Sequence, residues 1–318
     1  MMDFSGLKES IEAFDSIVIF RHINPDGDAS GSQSALKTWL KDNYPEKDVY
    51  AAGSQICTQG VWPANDEVSD EVIRKSLAVV LDTAAANRCD DSRFENAAKI
   101  IRIDHHPDRT PYGDLSFINE KAAAACQILA EWFEQQGKHM SSKCAEYLYK
   151  GILTDTLRFS TSNTTPETLK AAAWLTGFGI DIPAINRELF DLSMDEFRLT
   201  SAIRAKVNAE SSGFAWLIMS EKEMESFGVN GSEARGHIDE IGHVRDFRIW
   251  AMFTENRKDG VLSYDASLRS KKTDISIIAQ QFGGGGHKNA SGVKGLSEAD
   301  LYKIKELLNQ AAENENRI

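Results

Sequence analysis

Side chains of the kind that hold metal ions stand in short clusters along this sequence. The first, HINPDGDASGS over residues 22–32, carries His22, Asp26 and Asp28; the others are Asp82, the triplet Asp104-His105-His106, and Asp155 in GILTDTLRFS. Singly, each has an ordinary explanation. An Asp after a strand is a common turn or helix-cap residue, a lone His is a common surface or core residue, and Asp155 before Thr156 reads as a turn. Jointly they offer a mixture of carboxylates and imidazoles that suits Mn²⁺ or Mg²⁺, with imidazole drawing toward the softer Mn²⁺. No thiolate is among them, which argues against a structural zinc site. The carboxylates suffice for two cations, and two cations a few ångströms apart would clamp an in-line displacement at phosphorus.

A second pattern lies nearer the C-terminus, where Gly283-Gly284-Gly285-Gly286-His287 follows a helix-like segment. Four glycines can be a plain helix stop and loop. A run of that length costs chain entropy unless the backbone must approach something closely. Backbone N–H groups cradling a phosphate are one such reason, and Arg269 and His287 can add charged donors. Lys288 and Arg158 are further cations, of a type that is usually just solvated.

These residues need elements to position them. Ser16–Phe20, Leu77–Leu81 and Ile100–Ile103 read as buried strands. Helix-like stretches cover Gly31–Lys41, Ala122–Gln136 and Ser142–Tyr149. Such alternation predicts an α/β fold with a mainly parallel sheet. The acidic clusters at 26–28, 82 and 104 each follow one of the strands, and ligands of open parallel sheets collect at strand carboxyl ends. Gly27 and Gly31 would then give a ligand-bearing loop room to bend. A second region begins between Asp191 and Glu210, with Asp195–Glu210 as a candidate linker helix. Strands are expected at Phe214–Met219, Arg248–Thr254 and Leu262–Leu268, helices at Ile275–Phe282 and Asp300–Ala312.

Bulk properties narrow the partner. The 318 residues suit about two domains. Mean hydropathy is −0.37, and no apolar run approaches the roughly 18 residues of a membrane span. No secretory signal is visible in MMDFSGLKESIEAFDS, and Cys57, Cys89, Cys126 and Cys144 form no CxxC pair. They read as reduced thiols, and the expected location is cytoplasmic. A net charge of −12 argues against duplex DNA as a partner. It allows a small anionic substrate, because bound cations reverse the local sign.

The motifs together resemble the DHH phosphoesterase superfamily. They are HxxPDxDaxGS at His22–Ser32, the isolated Asp82, Asp104-His105-His106 and Asp155. SLRS at Ser267–Ser270 with GGGGHKNASG at Gly283–Gly292 looks like the DHH-associated C-terminal domain. Length and domain order look most like the branch of bifunctional oligoribonucleases (nanoRNases) and 3′-phosphoadenosine 5′-phosphate (pAp) phosphatases. The resemblance implies a DHH catalytic domain over residues 1–190, a linker helix over 191–210 and a smaller α/β substrate-binding domain over 211–318, facing it across a cleft. Two departures are Leu157, where many relatives have Gly, and Ser30, where an aliphatic residue is commoner.

The resemblance also implies roles. One cation would be held by His22, Asp26 and Asp82, the second by Asp28, Asp82, His105 and Asp155, with a bridging water as nucleophile. Asp104 would orient a histidine, and His106 would face the scissile phosphate. Arg158, Arg269, Ser270, Gly283, Gly284, Gly285, Gly286, His287 and Lys288 would bind substrate, which would be short single-stranded RNA or a small phosphorylated nucleotide. Homodimers are common among such proteins.

Four alternatives stay open. A pyrophosphatase or exopolyphosphatase shares the first-domain motifs, but the pyrophosphatase branch closes its site with a C-terminal domain lacking GGGGH. A cyclic or linear dinucleotide hydrolase usually carries membrane and sensory segments before the catalytic core. A long single-strand exonuclease usually appends an oligonucleotide-binding barrel. A catalytically silent nucleotide- or RNA-binding module would be expected to have lost a ligand, and none is missing.

Overall fold

The computed structural model describes residues 3–258 and 260–315. The chain divides into two units, Met1–Asp191 and Leu192–Ile318.

The first unit carries five parallel strands: β1 (Ser16–Phe20), β2 (Asp48–Ala51), β3 (Leu77–Leu81), β4 (Lys99–Asp104) and β5 (Leu115–Ile118). Both faces of the sheet are covered, so β1 and β3 are continuous apolar runs. Ile17, Ile19, Val79 and Leu81 pack toward Leu36, Trp39, Leu129 and Ile152 of three helices. Their neighbours Val18, Phe20, Ala78 and Val80 enter a second core with Val68, Ile73 and Phe94. β2 and β5 are missing from the sequence reading because DVYA and LSFI are too short to show a period.

Strand order is β2-β1-β3-β4-β5. The chain leaves β1 toward one edge and resumes at β3 toward the other, which opens a crevice at the carboxyl ends of β1 and β3. His22 lies just past β1, Asp82 directly after β3, and Asp104 is the last residue of β4.

The helix expected over Gly31–Lys41 spans Gly27–Asn43, so Asp26 is its N-cap and Asp28 stands in its first turn. Gly27 and Gly31 therefore do not bend a loop. They sit where the helix Ser142–Asp155 crosses: a Cβ on Gly27 would lie 2.6 Å from Thr154 Cγ2, and one on Gly31 2.6 Å from the Tyr147 carbonyl oxygen. That second helix was expected to stop at Tyr149 and instead runs on to Asp155.

The second unit holds a mixed sheet of β6 (Asn208–Ala209), β7 (Phe214–Met219), β8 (Ile249–Lys258), β9 (Val261–Ser270), β10 (Gly285–His287) and β11 (Ala290–Leu296). Its order is β10-β11-β9-β8-β7-β6, with β7 and β8 parallel and the other pairs antiparallel. Leu301, Ile304 and Leu308 of the helix Glu298–Glu315 cover one face with Phe214, Phe253 and Leu268. On the other face, Leu199 and Ile203 of the helix Met194–Ala205 pack with Leu217 and Met252. The segment read as a linker over 191–210 thus contributes a core helix and β6 to this unit. Among the described residues, no helix is long and apolar enough to cross a membrane.

Candidate active site

Each candidate ligand of the first unit is placed by an element end. Asp26 does two things at once: Oδ1 accepts the N–H groups of Asp28 and Ala29 at 3.0 Å each, and Oδ2 lies 3.7 Å from His22 Nε2. Asp28 is fully buried, and its carboxylate accepts the first N–H groups of the helix Ala125–Gln136, from Ala125 at 2.6 Å and Cys126 at 2.9 Å. Asp82 turns off β3 with φ +48°, a left-handed conformation that few residues adopt without cost.

Asp82 is the centre of the cluster. Its Oδ2 is 3.3 Å from His22 Nε2, and its Oδ1 is 3.3 Å from His105 Nε2. His105 Nε2 is also 3.3 Å from Asp155 Oδ2 and 3.9 Å from Asp28 Oδ2. Three overlapping groups form here, His22-Asp26-Asp82, Asp28-His105-Asp155 and Asp82-Asp104-His105-His106, each with ligand atoms within 4.8 Å of one another. His22 Nδ1 is 2.7 Å from the Ile23 carbonyl oxygen. A carbonyl only accepts, so Nδ1 carries the proton and Nε2 is the nitrogen available to a metal.

The electrostatics fit a cation. Asp82 Oδ1 is buried and makes no well-formed hydrogen bond, with only the His105 and His106 ring nitrogens near it at 3.3 and 3.4 Å, a costly state for a carboxylate oxygen that a metal ion would relieve. Burial, then the nearby Asp82 charge, pushes the Asp28 carboxyl up. Asp155 is raised by burial and by Asp28 and Asp82. Burial works against a charged His22, yet Asp26 and Asp82 raise it to about 10. His105 rises for the same reason, with Asp82 and Asp28 outweighing its burial. So many carboxylates within reach of two rings hold protons that a cation would displace.

His106 stands at the rim of the cluster, its Nδ1 3.4 Å from Asp82 Oδ1. Its Nδ1 and its backbone N–H both meet Asp104 Oδ1, at 2.8 and 3.0 Å, and its side chain is 42% exposed. The histidine that Asp104 orients is therefore His106, with Nε2 left free.

In the second unit a cavity of about 570 Å³ is lined by Arg235, Arg269 and Lys294, by Ser232 and Ser267, and by Gly283–Gly285. The glycines differ in why they are glycine. Gly283 and Gly286 have φ of +72° and +141°, and a Cβ on Gly284 would lie 2.6 Å from Val293 Cγ2. Gly285 has neither a left-handed φ nor any atom near a Cβ. The fold itself does not require a glycine at this position. Ser270 is not in the cavity wall: its Oγ donates to the Thr273 carbonyl and accepts from Asn289. His287 and Lys288 are exposed on the β10 hairpin, outside the wall. Arg158, in the first unit, lies with its guanidinium carbon 4.7 Å over the Phe190 ring.

Residues 16–152 match the DHH family, N-terminal domain, and residues 215–314 match the DHHA1 domain. A probable bifunctional oligoribonuclease and PAP phosphatase NrnA of Streptococcus mutans is 35% identical over 97% of this chain and 100% of its own length. The chain belongs to the DHH family. A Bacillus subtilis relative, the bifunctional oligoribonuclease and PAP phosphatase NrnA, is 34% identical over 92% of this chain and 94% of that one. An exopolyphosphatase-related protein from Bacteroides fragilis shares the fold, with a TM-score of 0.81 at 22% identity over 99% of this chain and 97% of that chain.

Several residues of the two units escaped the sequence reading. Arg102 bonds Asp104 and is itself held by Asp108 and the Tyr112 ring, and Arg235 and Lys294 join the second-unit cavity. Arg235 is held by Thr254 and, at 3.5 Å, by Asp265. A lone Arg in a strand or helix gives no sign of its partners until distant segments meet. Leu157 carried a signal that can now be explained: it has φ +44° and is followed by Arg158 and Phe159 at +60° and +62°. The Gly of many relatives suits that left-handed backbone.

Proposed function

We propose that the chain is a two-cation phosphoesterase. It cuts short oligoribonucleotides to mononucleotides and removes the 3′-phosphate of 3′-phosphoadenosine 5′-phosphate to leave AMP. The observation that carries this reading is the division of Asp82, with one oxygen toward His22 and the other toward His105, each 3.3 Å away. The names of the relatives that match almost end to end support the substrate class.

In this reading His22, Asp26 and Asp82 hold one cation, and Asp28, Asp82, His105 and Asp155 hold the second. The two imidazoles favour Mn²⁺, with Mg²⁺ the alternative. When bound, the cations supply Lewis-acid stabilisation of charge at phosphorus and activate the attacking water. The protein's own groups do the rest. Asp104 accepts the Nδ1 proton of His106, so that Nε2 faces the substrate phosphate. Arg269, Arg235, Lys294 and the backbone at Gly285 bind the substrate's sugar-phosphate. Arg235, Arg269 and Lys294 in one wall, the arginines partly balanced by Asp265 and Asp239 at 3.5 and 3.4 Å, suit an anionic ligand in a chain with net charge −12.

One side-by-side assay tests the reading: protein with Mn²⁺ offered dinucleotides, longer RNA, pAp, pyrophosphate and cyclic dinucleotides. Di- to pentanucleotides and pAp should turn over well above pyrophosphate. Fast pyrophosphate hydrolysis with untouched dinucleotides would move the chain to another branch of the family.

A further inference from the structure

Arg102 is a fully buried guanidinium inside a parallel sheet. A charge in such a place is costly unless it is paired and hydrogen-bonded, and here each of the three guanidinium nitrogens donates to a carboxylate. Its Nε and Nη2 donate to Asp104 Oδ2 at 3.2 and 2.7 Å, and its Nη1 donates to Asp108 Oδ1 at 2.7 Å. Its guanidinium carbon lies 4.9 Å from the centre of the Tyr112 ring, whose hydroxyl donates at 2.7 Å to the carbonyl of Thr83, the residue after Asp82.

The two oxygens of Asp104 are thus assigned separately. Oδ2 takes both Arg102 bonds, while Oδ1 takes the His106 backbone N–H and ring Nδ1. With Oδ2 pinned, the carboxylate plane cannot rotate, and the line from Oδ1 to Nδ1 fixes the imidazole. Asp108 anchors the guanidinium from the loop that follows the DHH triplet. An apolar residue would fill the same space in the sheet at lower desolvation cost, so packing alone does not explain an arginine here.

We propose that Arg102 is a positioning residue for phosphoester hydrolysis, acting through Asp104 to aim His106 at the substrate. The proposal rests on the phosphoesterase reading above. It differs from a merely structural role in one respect: removing Arg102 matters only while His106 is present.

A double-mutant cycle measures this. Arg102→Lys and Arg102→Gln are assayed with Mn²⁺ on p-nitrophenyl phosphate and on a dinucleotide, in the native enzyme and in a His106→Ala background. The expected result is a fall in kcat of about tenfold or more with KM moved less than about threefold, and almost no further fall once His106 is gone. Asp108→Asn, on a partly exposed loop, loosens the same anchor without opening the core and should give the same pattern at about threefold. Equal losses with and without His106, a change carried by KM, or an unchanged kcat in Asp108→Asn overturns the proposal. A native enzyme inert toward both substrates refutes the phosphoesterase reading itself. An active enzyme with an additive cycle refutes only the role of Arg102.

Discussion

Gly27 and Thr154 mark the point where two helices cross behind the cluster: a Cβ on Gly27 would stand 2.6 Å from Thr154 Cγ2. The crossing puts Asp26 and Asp28, at the start of one helix, beside Asp155, at the end of the other. Neither backbone can retreat, because Gly31 is equally close to the Tyr147 carbonyl.

Gly27→Ala should therefore cost about 1–3 kcal/mol by overpacking and weaken Mn²⁺ binding at the same time. Urea unfolding and a metal titration read the two effects. The double variant Gly27→Ala/Thr154→Ala should recover part of both. A Gly27→Ala protein with native stability and metal affinity would show that the crossing does not set the ligand geometry.

This crossing also shows where sequence reading stopped. β1 and β3 were legible to the residue because strands buried on both faces read as unbroken apolar runs. Asp82 and the DHH triplet were legible because they follow such runs. Gly27 and Gly31 were misread, since a glycine needed for close helix contact looks the same in sequence as one needed for a turn. Arg102 was passed over inside KIIRID because its neutralising partners, Asp104 and Asp108, come into range only when the strand and the following loop fold.

Leu157 is 62% exposed and has φ +44°. It therefore pays a backbone penalty without burying its side chain. Leu157→Gly should raise stability by about 1 kcal/mol, seen as a higher urea midpoint with unchanged slope. A lower midpoint would mean that the leucine makes contacts worth more than its strained backbone.

The glycine run gives a paired test. Gly284→Ala drives a Cβ toward Val293 and should lower the melting temperature. Gly285→Ala meets nothing in the protein, so its stability should be native while KM for a dinucleotide rises about tenfold, within the range of one lost charge-assisted contact. The minimal ester p-nitrophenyl phosphate should be hydrolysed as before. An unchanged dinucleotide KM in Gly285→Ala removes the glycine run from the substrate site.

Metal binding should release protons. The metal-free site holds His22 charged below about 10, and burial with neighbouring charges raises Asp28 and Asp155. Coordination needs these groups bare, so affinity for Mn²⁺ should strengthen as pH rises from 6 to 8. Calorimetry in two buffers of different ionisation enthalpy should show heats differing by at least about one proton's worth. Equal heats in both buffers would contradict the protonated metal-free cluster.

The central claim is that Asp82 bridges two cations, and Asp82→Asn tests it most directly. Asn tolerates the left-handed backbone at this position, so the variant keeps the fold while losing the charge and one ligand oxygen. The measurement is bound Mn²⁺ per chain together with dinucleotide turnover at saturating Mn²⁺. Native protein should bind about two ions, and the variant should lose metal and about a thousandfold or more in turnover. An Asp82→Asn protein that keeps both ions, or that turns over dinucleotide within about tenfold of native, would contradict the bridged two-cation site.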